Sequence, residues 1–292
     1  MKKKYYVVLI IVLIALIGIN TVYLNDFFNT NRSLKQDNNN YTQKIKEYSS
    51  LISENKEKEE EITNLNKAIK DLKEEFFKNA SILEKKIQTG ESSVKIAYIT
   101  IDDGPYALSS KFLDVLKEKN APSTFFWMYR GGHEDKYQRV LTEGHTLANH
   151  SFYHNIFGNN GIYRSVNNFI TDVLRLENYI YEITGYKTDI FRFPGGSATA
   201  RGLKSAMVEE LRKNGYGYVD WHAYIGDSSG HPTVTQSVNN VMNRVKGHNI
   251  AVILMHDYSN TSLQALPIII DNLRNQGYIF LPLFKDSVTV IK

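Results

Sequence analysis

The fold of this chain is constrained most strongly by a regular alternation of short apolar runs and longer amphipathic stretches that begins at Val94. Such alternation predicts parallel strands joined by helical crossovers. We predict strands at Val94–Ile101, Ser123–Trp127, Gly144–Leu147, Asp189–Phe193, Gly217–Trp221, Ile250–Leu254 and Tyr278–Leu281. The intervening patterns predict helices at Ser110–Lys119, Lys136–Glu143, Ser165–Thr184, Thr199–Asn214, Val234–Lys246 and Ser262–Gln276. Residues 94–292 are therefore predicted to form one α/β domain.

The number of predicted strands indicates the type of α/β fold. A regular (β/α) barrel has eight strands, so we predict a distorted barrel with seven, and an open doubly wound sheet is the alternative. In a barrel, functional groups lie on the loops that follow the carboxyl ends of the strands. Ionisable residues cluster at five such ends, namely Asp102 with Asp103, His150 with His154, Arg192, Asp220 with Asp227, and His256 with Asp257. The pattern predicts a single site at that rim.

Composition separates this domain from the preceding segment and excludes several classes of function. Only two of the 18 glycines and none of the six prolines precede residue 93. The net charge of +4 is small and the basic residues are dispersed, which argues against binding to nucleic acid. The absence of cysteine excludes a disulfide framework, a thiolate nucleophile and a cysteine-based zinc site.

The first residues have the pattern of a membrane anchor. Three lysines at positions 2–4 precede an uncharged, mostly apolar stretch over residues 5–24, which is long enough to span a hydrocarbon layer of about 30 Å as a helix. A cleaved signal peptide is the alternative, but no small-x-small cleavage site follows the stretch. The positive-inside bias predicts a single-pass protein of the cell membrane, with residues 1–4 in the cytoplasm and the remaining chain extracellular.

Residues 25–93 are predicted to form a helical stalk. From Leu34 to Lys86 apolar residues recur every seven positions, which is typical of coiled coils. Asn55 falls at a core position of this repeat, where a single polar residue can fix register and strand number. The segment predicts a coiled coil through which the chain forms a homo-oligomer, and a single charged helix in solvent is the alternative.

Two adjacent carboxylates, Asp102 and Asp103, end the first predicted strand before Gly104-Pro105. Adjacent strand residues point in different directions, so one carboxylate can bind a cation while the other faces a water molecule bound to that cation. Ordinary turn formation is the alternative, because Asp favours such turns.

His150 and His154 are four residues apart, a common spacing of metal ligands. Together with one carboxylate, two histidines form a metal site that leaves positions open for water and substrate. Such ligands favour Zn²⁺, with Co²⁺, Ni²⁺ and Mn²⁺ as alternatives. Two partly exposed histidines with ordinary hydrogen bonds are the alternative to a metal site.

Arg192 and His256 supply further charged groups at strand ends. An arginine remains charged at any working pH and can orient a nearby carboxylate and keep it ionised, although a surface salt bridge is the alternative. A histidine is a natural proton donor to a leaving amine near neutral pH, and a core histidine is the alternative.

In this order the motifs resemble those of the polysaccharide deacetylases of carbohydrate esterase family 4, which share the NodB homology domain. The resemblance covers Val94 to Leu283 and rests on Thr100–Pro105, His150–His154, Arg192–Pro194 and Leu254–His256. It implies a metal-dependent hydrolase that releases acetate from N-acetylated amino-sugar polymers, such as peptidoglycan or a related exopolysaccharide. The alternatives are an esterase acting on O-acetylated xylan, a deacetylase of muramic acid, and a catalytically inactive scaffold that binds the cell wall.

The resemblance also implies a role for each motif residue. Asp103, His150 and His154 would bind the metal, Asp102 would be the general base, and His256 the general acid. Arg192 would orient Asp102, and Asp227 would tune His256. The residues expected to contact substrate are Leu254, which lines the acetyl pocket, Pro194, Gly195, whose N–H would hold the oxyanion, and Trp221. Ser228 stands where the family has Trp, and Trp221 is a nearby aromatic that would serve as sugar platform instead.

Overall fold

The computed structural model describes residues 35–158 and 161–289. The chain divides into two compact units, residues 1–75 and residues 76–292. The predicted cytoplasmic tail at 1–4, the predicted anchor at 5–24 and the first heptad position, Leu34, lie outside the described residues. Within the described ranges, no helix has the length and hydropathy needed to cross a membrane.

The described part of the first unit is a single long helix. Helix α1 spans Lys35–Gln88, and its residues up to Glu75 belong to this unit. Several apolar residues of the predicted heptad repeat are exposed on this helix, at Leu51, Ile62, Leu65, Ile69 and Leu72. The predicted stalk is thus helical over these residues, whereas the coiled coil and the homo-oligomer stay predictions.

The second unit is built on a parallel sheet that has eight strands within the described residues. They are β1 (Lys95–Asp102), β2 (Thr124–Trp127), β3 (Thr146–Asn149), β4 (Ile190–Phe191), β5 (Gly217–Tyr218), β6 (Ala223–Tyr224), β7 (Ile250–His256) and β8 (Tyr278–Phe280). Their order is β5-β4-β3-β2-β1-β7-β6, and β8 pairs with the first residues of β1. Every pairing is parallel. The predicted parallel α/β architecture is confirmed. The sheet is a curled half-barrel, because its two end strands, β5 and β6, do not pair with each other.

The prediction of seven strands was wrong because it missed β6. Only Ala223 and Tyr224 form this strand, and they pair with Ile253 and Leu254 of β7. A strand of two residues carries no periodicity from which it can be recognised.

Helices connect the strands close to the predicted positions. They are α2 (Ser109–Glu118), α3 (Glu134–Thr142), α4 (Val166–Thr184), α5 (Lys204–Lys213), α6 (Val234–Arg244) and α7 (Asn260–Asn275). The predicted helix Thr199–Asn214 is shorter, because a 3-10 helix at Ser197–Leu203 precedes α5. Arg201 within that segment has a φ of 50°, which interrupts a right-handed helix.

The strands separate two apolar cores, and a third apolar cluster involves α4 and α5. Alternate residues of β1 face opposite sides of the sheet, so Ala97 and Ile99 pack towards the helices while Ile96 and Tyr98 pack inside the curl. These residues are fully buried. Since burial of a large apolar side chain contributes about 1.5–3 kcal/mol, the two cores hold the strand ends in fixed positions.

The last turns of α1 belong to the second unit and complete its inner core. Ile87 is buried among the inner residues, and the carboxylate of Glu84 is buried with it. Glu84 accepts hydrogen bonds from the hydroxyls of Tyr98 and Ser287 and from the backbone N–H of Val288. The second compact unit begins at residue 76, and the predicted domain boundary at residue 94 stays a prediction.

Candidate active site

Asp102 and Asp103 lie where β1 ends beside β7. In the register of these strands, Asp102 pairs with His256. Asp103 has a φ of 72°, an uncommon conformation that Asp tolerates better than most residues. This turn separates the two carboxylates, so that Asp102 contacts Arg192 while Asp103 faces the histidines.

Asp103, His150 and His154 form a candidate metal site. One ligand atom of each lies within 4.8 Å of the other two. Oδ1 of Asp103 is 3.3 Å from Nε2 of His150 and 3.4 Å from Nε2 of His154. The same oxygen is buried without a hydrogen-bond partner, a costly state that a bound cation would relieve. One carboxylate and two imidazoles therefore fit a divalent ion and leave coordination positions open.

The surroundings favour the ligating forms of these side chains. Nδ1–H of His150 donates to the carbonyl oxygen of Arg192 at 2.8 Å, which leaves Nε2 facing Asp103. Burial opposes ionisation of Asp103, but the neighbouring His150, His154 and His256 outweigh burial and hold the pKa of Asp103 well below its usual range. Burial also lowers the pKa of His154, which favours the neutral imidazole that binds metals.

The two histidines lie on a loop after β3, where Ser151 and His154 have φ values of 71° and 53°. Two side chains to which the sequence assigned no role hold this loop. Oδ1 of Asn149 accepts from the N–H of Ser151 at 3.0 Å, and Oδ1 of Asp172 accepts from the N–H of Phe152 at 2.6 Å. Asn149 adjoins the motif in the sequence, whereas Asp172 lies on α4 and no local pattern connects it to the motif.

Arg192, directly after β4, is fully buried and fixes Asp102. Its Nη1 donates to Oδ1 of Asp102 at 2.9 Å and to Oγ1 of Thr100 at 2.6 Å. Its Nε and Nη2 each donate at 3.2 Å to a backbone carbonyl, those of Val219 and Asp220. Oδ2 of Asp102 remains on the side of the candidate metal site, 3.7 Å from Nε2 of His150.

His256 ends β7 and is held by Asp227. Its Nδ1–H donates to Oδ1 of Asp227 at 2.8 Å, and its backbone N–H donates to Oδ2 at 2.9 Å. Burial disfavours the imidazolium, but the hydrogen bond and charge of Asp227 outweigh burial and raise the pKa of His256 to about 9. Its Nε2 lies 3.9 Å from Oδ2 of Asp103, so this imidazole faces the candidate metal site.

Asp257 is a buried carboxylate that the sequence placed at the rim without a role. It accepts a hydrogen bond from Oγ of Ser109, and burial raises the pKa of Asp257 to about 7. A Cβ at Gly104 would lie 2.2 Å from Oδ2 of Asp257 and 2.3 Å from Nε1 of Trp127. Only glycine therefore fits behind the turn that carries Asp103.

Three predicted substrate-contacting residues belong to the segments that carry His256 and Arg192. Leu254 lies in β7 and is 6% exposed. Pro194 and Gly195 form the turn after β4, where Gly195 has a φ of 73°, a conformation that glycine adopts without strain.

The fourth, Trp221, is partly buried beneath this turn. Its ring lies 5.7 Å from the guanidinium of Arg192, and it packs against the inner core. Its neighbour Asp220, which sequence reasoning placed at the rim without a role, accepts from both the N–H and Oγ of Ser197 and so holds the turn.

Comparison with known proteins assigns the chain to a family. The family model of polysaccharide deacetylases matches residues 89–219. A protein of Bacillus subtilis (strain 168) named as a polysaccharide deacetylase is 35% identical over 239 residues, which cover 78% of this chain and 82% of that protein. The chain belongs to the polysaccharide deacetylase family. The resemblance drawn from the motifs is confirmed, and this deacetylase is a hydrolase.

Two further relatives have a named substrate. A peptidoglycan-N-acetylglucosamine deacetylase of Bacillus cereus is 30% identical to this deacetylase over 194 residues, which cover 64% of this chain and 68% of that protein. The catalytic domain of peptidoglycan N-acetylglucosamine deacetylase from Eubacterium rectale ATCC 33656 has a TM-score of 0.61 and 34% identity, over 68% of this chain and 93% of that one. This structural similarity agrees with the curled half-barrel.

Proposed function

We propose that this deacetylase hydrolyses N-acetyl groups of an amino-sugar polymer, such as the N-acetylglucosamine of peptidoglycan or a related exopolysaccharide, and releases acetate. The observation that carries the proposal is the convergence of three potential metal ligands with two further groups. These are the carboxylate of Asp102, fixed by Arg192, and the imidazole of His256, fixed by Asp227. The relatives that act on peptidoglycan N-acetylglucosamine support the choice of substrate.

Asp103, His150 and His154 would hold the metal, and we propose Zn²⁺ because two imidazoles and one carboxylate suit it. A bound divalent ion supplies a water molecule of lowered pKa and polarises the acetyl carbonyl.

Asp102 is positioned to take the proton of the attacking water. Arg192 holds its Oδ1 at 2.9 Å, so the geometry of the carboxylate is set before substrate binds. Its other oxygen, Oδ2, stays on the side of the candidate metal site, where a general base must act.

His256 is positioned to protonate the leaving nitrogen. Asp227 accepts the Nδ1 proton, which leaves the Nε2 proton directed to the site, and the raised pKa keeps that proton in place at neutral pH. The N–H of Gly195 would donate to the developing oxyanion, a contribution worth about 3–4 kcal/mol in comparable sites. Leu254 would contact the acetyl methyl. The reaction needs no serine or cysteine nucleophile.

The test is acetate release from chitooligosaccharides and from peptidoglycan by the full chain, before and after chelator treatment and again after Zn²⁺ is restored. Asp102→Asn should abolish release while retaining Zn²⁺, and Tyr181→Ala on the exposed face of α4 should match the native chain. Acetylxylan serves as the alternative substrate, and the sugar that has lost its acetyl group in treated peptidoglycan distinguishes N-acetylglucosamine from N-acetylmuramic acid. Release from acetylxylan alone would refute the amide specificity, and no release from any substrate would refute the activity.

For localisation, we propose that residues 5–24 anchor the deacetylase in the cell membrane, with residues 1–4 in the cytoplasm and the catalytic domain extracellular. The apolar stretch and the lysines before it support this arrangement, as does a polymeric substrate of the cell wall. Protease added to intact cells should remove the catalytic domain, and its protection there would refute the orientation.

For the stalk, we propose self-association through the exposed apolar positions of α1. Ile62 and Ile69 alternate with Leu65 and Leu72 at heptad spacing, and all four are exposed. Leu65→Glu should dissociate an oligomer that sedimentation detects in the native chain, whereas Lys67→Glu on the same helix should not. A monomeric native chain would refute self-association.

A further inference from the structure

An exposed aromatic side chain lies against the proposed proton donor. The ring of Tyr258 stacks on the imidazole of His256, with centroids 5.1 Å apart and planes 23° apart. Tyr258 is 39% exposed, whereas His256 is 7% exposed. The tyrosine therefore extends the aromatic surface of the buried imidazole out to solvent.

A second tyrosine holds the first in place. The ring of Tyr106 packs edge to face with that of Tyr258, with centroids 5.5 Å apart. Arg130 lies over the Tyr106 ring at 4.2 Å and donates to its hydroxyl, and Nζ of Lys136 donates to the Tyr106 backbone carbonyl at 2.9 Å. Tyr258 and Tyr106, here called the tyrosine wall, are thus fixed before any ligand binds, which lowers the entropy cost of binding.

We propose that the tyrosine wall binds the pyranose ring next to the sugar that is deacetylated, with the Tyr258 ring stacked on the C–H face of that pyranose. This inference rests on the proposed function, because it takes His256 to face the leaving amine. A tyrosine has an apolar body and a polar tip, which matches a sugar ring with its C–H faces and peripheral hydroxyls.

The other aromatic candidate fits this role less well. Trp221 is partly buried and packs against the inner core and Arg192. Tyr258, by contrast, combines exposure with direct contact to His256. In a linear polymer the ring adjacent to the reacting sugar must pass beside the leaving amine, so a surface beside His256 selects polymers over single sugars.

Binding tests the inference without turnover. Chitotetraose is titrated by calorimetry into the full chain after chelator treatment, which stops hydrolysis. Tyr258→Ala and Tyr258→Leu should weaken binding about tenfold, because each removes the ring, while Tyr258→Phe, which keeps the ring and loses only the hydroxyl, should weaken binding much less. The leucine variant retains apolar volume, so it still tests the inference if the alanine variant does not fold. Tyr181→Ala, a matched exposed tyrosine on α4, should bind like the native chain.

Turnover of the Zn²⁺-loaded chain separates substrate binding from support of His256. In Tyr258→Leu, KM for chitotetraose should rise about tenfold with kcat nearly unchanged. A lower kcat with an unchanged KM, equal affinities in all variants, or the same weakening in Tyr181→Ala would each overturn the inference. Tyr258-dependent binding without acetate release would refute the proposed function alone, whereas acetate release with an unaltered KM would refute the tyrosine wall alone.

Discussion

Glu84→Ala should destabilise the second unit by about 2–4 kcal/mol, although Glu84 lies in the segment whose sequence resembles a solvated stalk. The carboxylate accepts hydrogen bonds from the hydroxyls of Tyr98 and Ser287, which are 0% and 1% exposed, and from the N–H of Val288 at 3.0 Å. In the variant the Ser287 hydroxyl can still bond Oγ1 of Thr289, 3.1 Å away.

The buried Tyr98 hydroxyl and the partly buried N–H of Val288 therefore lose their acceptor, at about 1–3 kcal/mol each. Part of this loss is offset, because burial outweighs the hydrogen bonds and raises the pKa of Glu84, so the ionised carboxylate is itself unfavourable at neutral pH. The raised pKa also sets the direction of the pH dependence. The folded chain holds the proton more tightly than the unfolded chain. The contribution of Glu84 to stability is therefore complete below pH 4.5 and falls as the pH rises.

The assay is urea denaturation of the full chain followed by tryptophan fluorescence. Trp127 and Trp221, the two tryptophans of the chain, both lie in the second unit, so the fluorescence reports on that unit alone. Lys85→Ala, at the exposed neighbouring position, is the control and should stay within about 0.5 kcal/mol of the native chain. A Glu84→Ala variant as stable as this control would refute the claim that the end of α1 is part of the domain core.

Three further predictions concern single side chains. His145 is buried and its Nδ1 accepts from the N–H of Ser123; burial lowers the pKa of His145 to about 4 from an ordinary 6.5. Below pH 6.5 His145 becomes protonated in the unfolded chain but stays neutral in the folded chain. The free energy of unfolding should therefore fall by about 3 kcal/mol between pH 6.5 and 4. In urea titrations His145→Asn should reduce this dependence on pH. Asp103→Asn should weaken Zn²⁺ binding by more than the roughly 10–100-fold that loss of an outer hydrogen bond costs, and chelator competition that shows native affinity would contradict the assigned ligands. Arg192→Lys keeps a positive charge but not the planar donor fork, so it should lower kcat and destabilise the fold by about 2–4 kcal/mol, and a native denaturation midpoint would count against the role of the fork.

Much of the fold could be read from local patterns. The alternation after Val94 predicted parallel strands and intervening helices, because each strand must bury apolar residues and each helix must bury one face. The same logic brought Asp103, His150 and His154 to one rim, since parallel strands share the direction in which their carboxyl ends point. Two features could not be predicted from local patterns. The strand β6 has only two residues, and Asp172 bonds to the histidine loop from a distant part of the chain.

Sequence and tertiary structure determine different properties of this protein. The sequence by itself determined the order of the elements and which ionisable groups stand at the strand ends, because periodicity and motif order are properties of short windows. Only the tertiary structure decided that Glu84 is a buried acceptor, that Asp172 holds the histidine loop and that Tyr258 stacks on the imidazole of His256. Glu84 meets Ser287, 203 residues later, through packing of the whole core. Distances and hydrogen-bond angles between such partners depend on that packing, and no short stretch of chain specifies them.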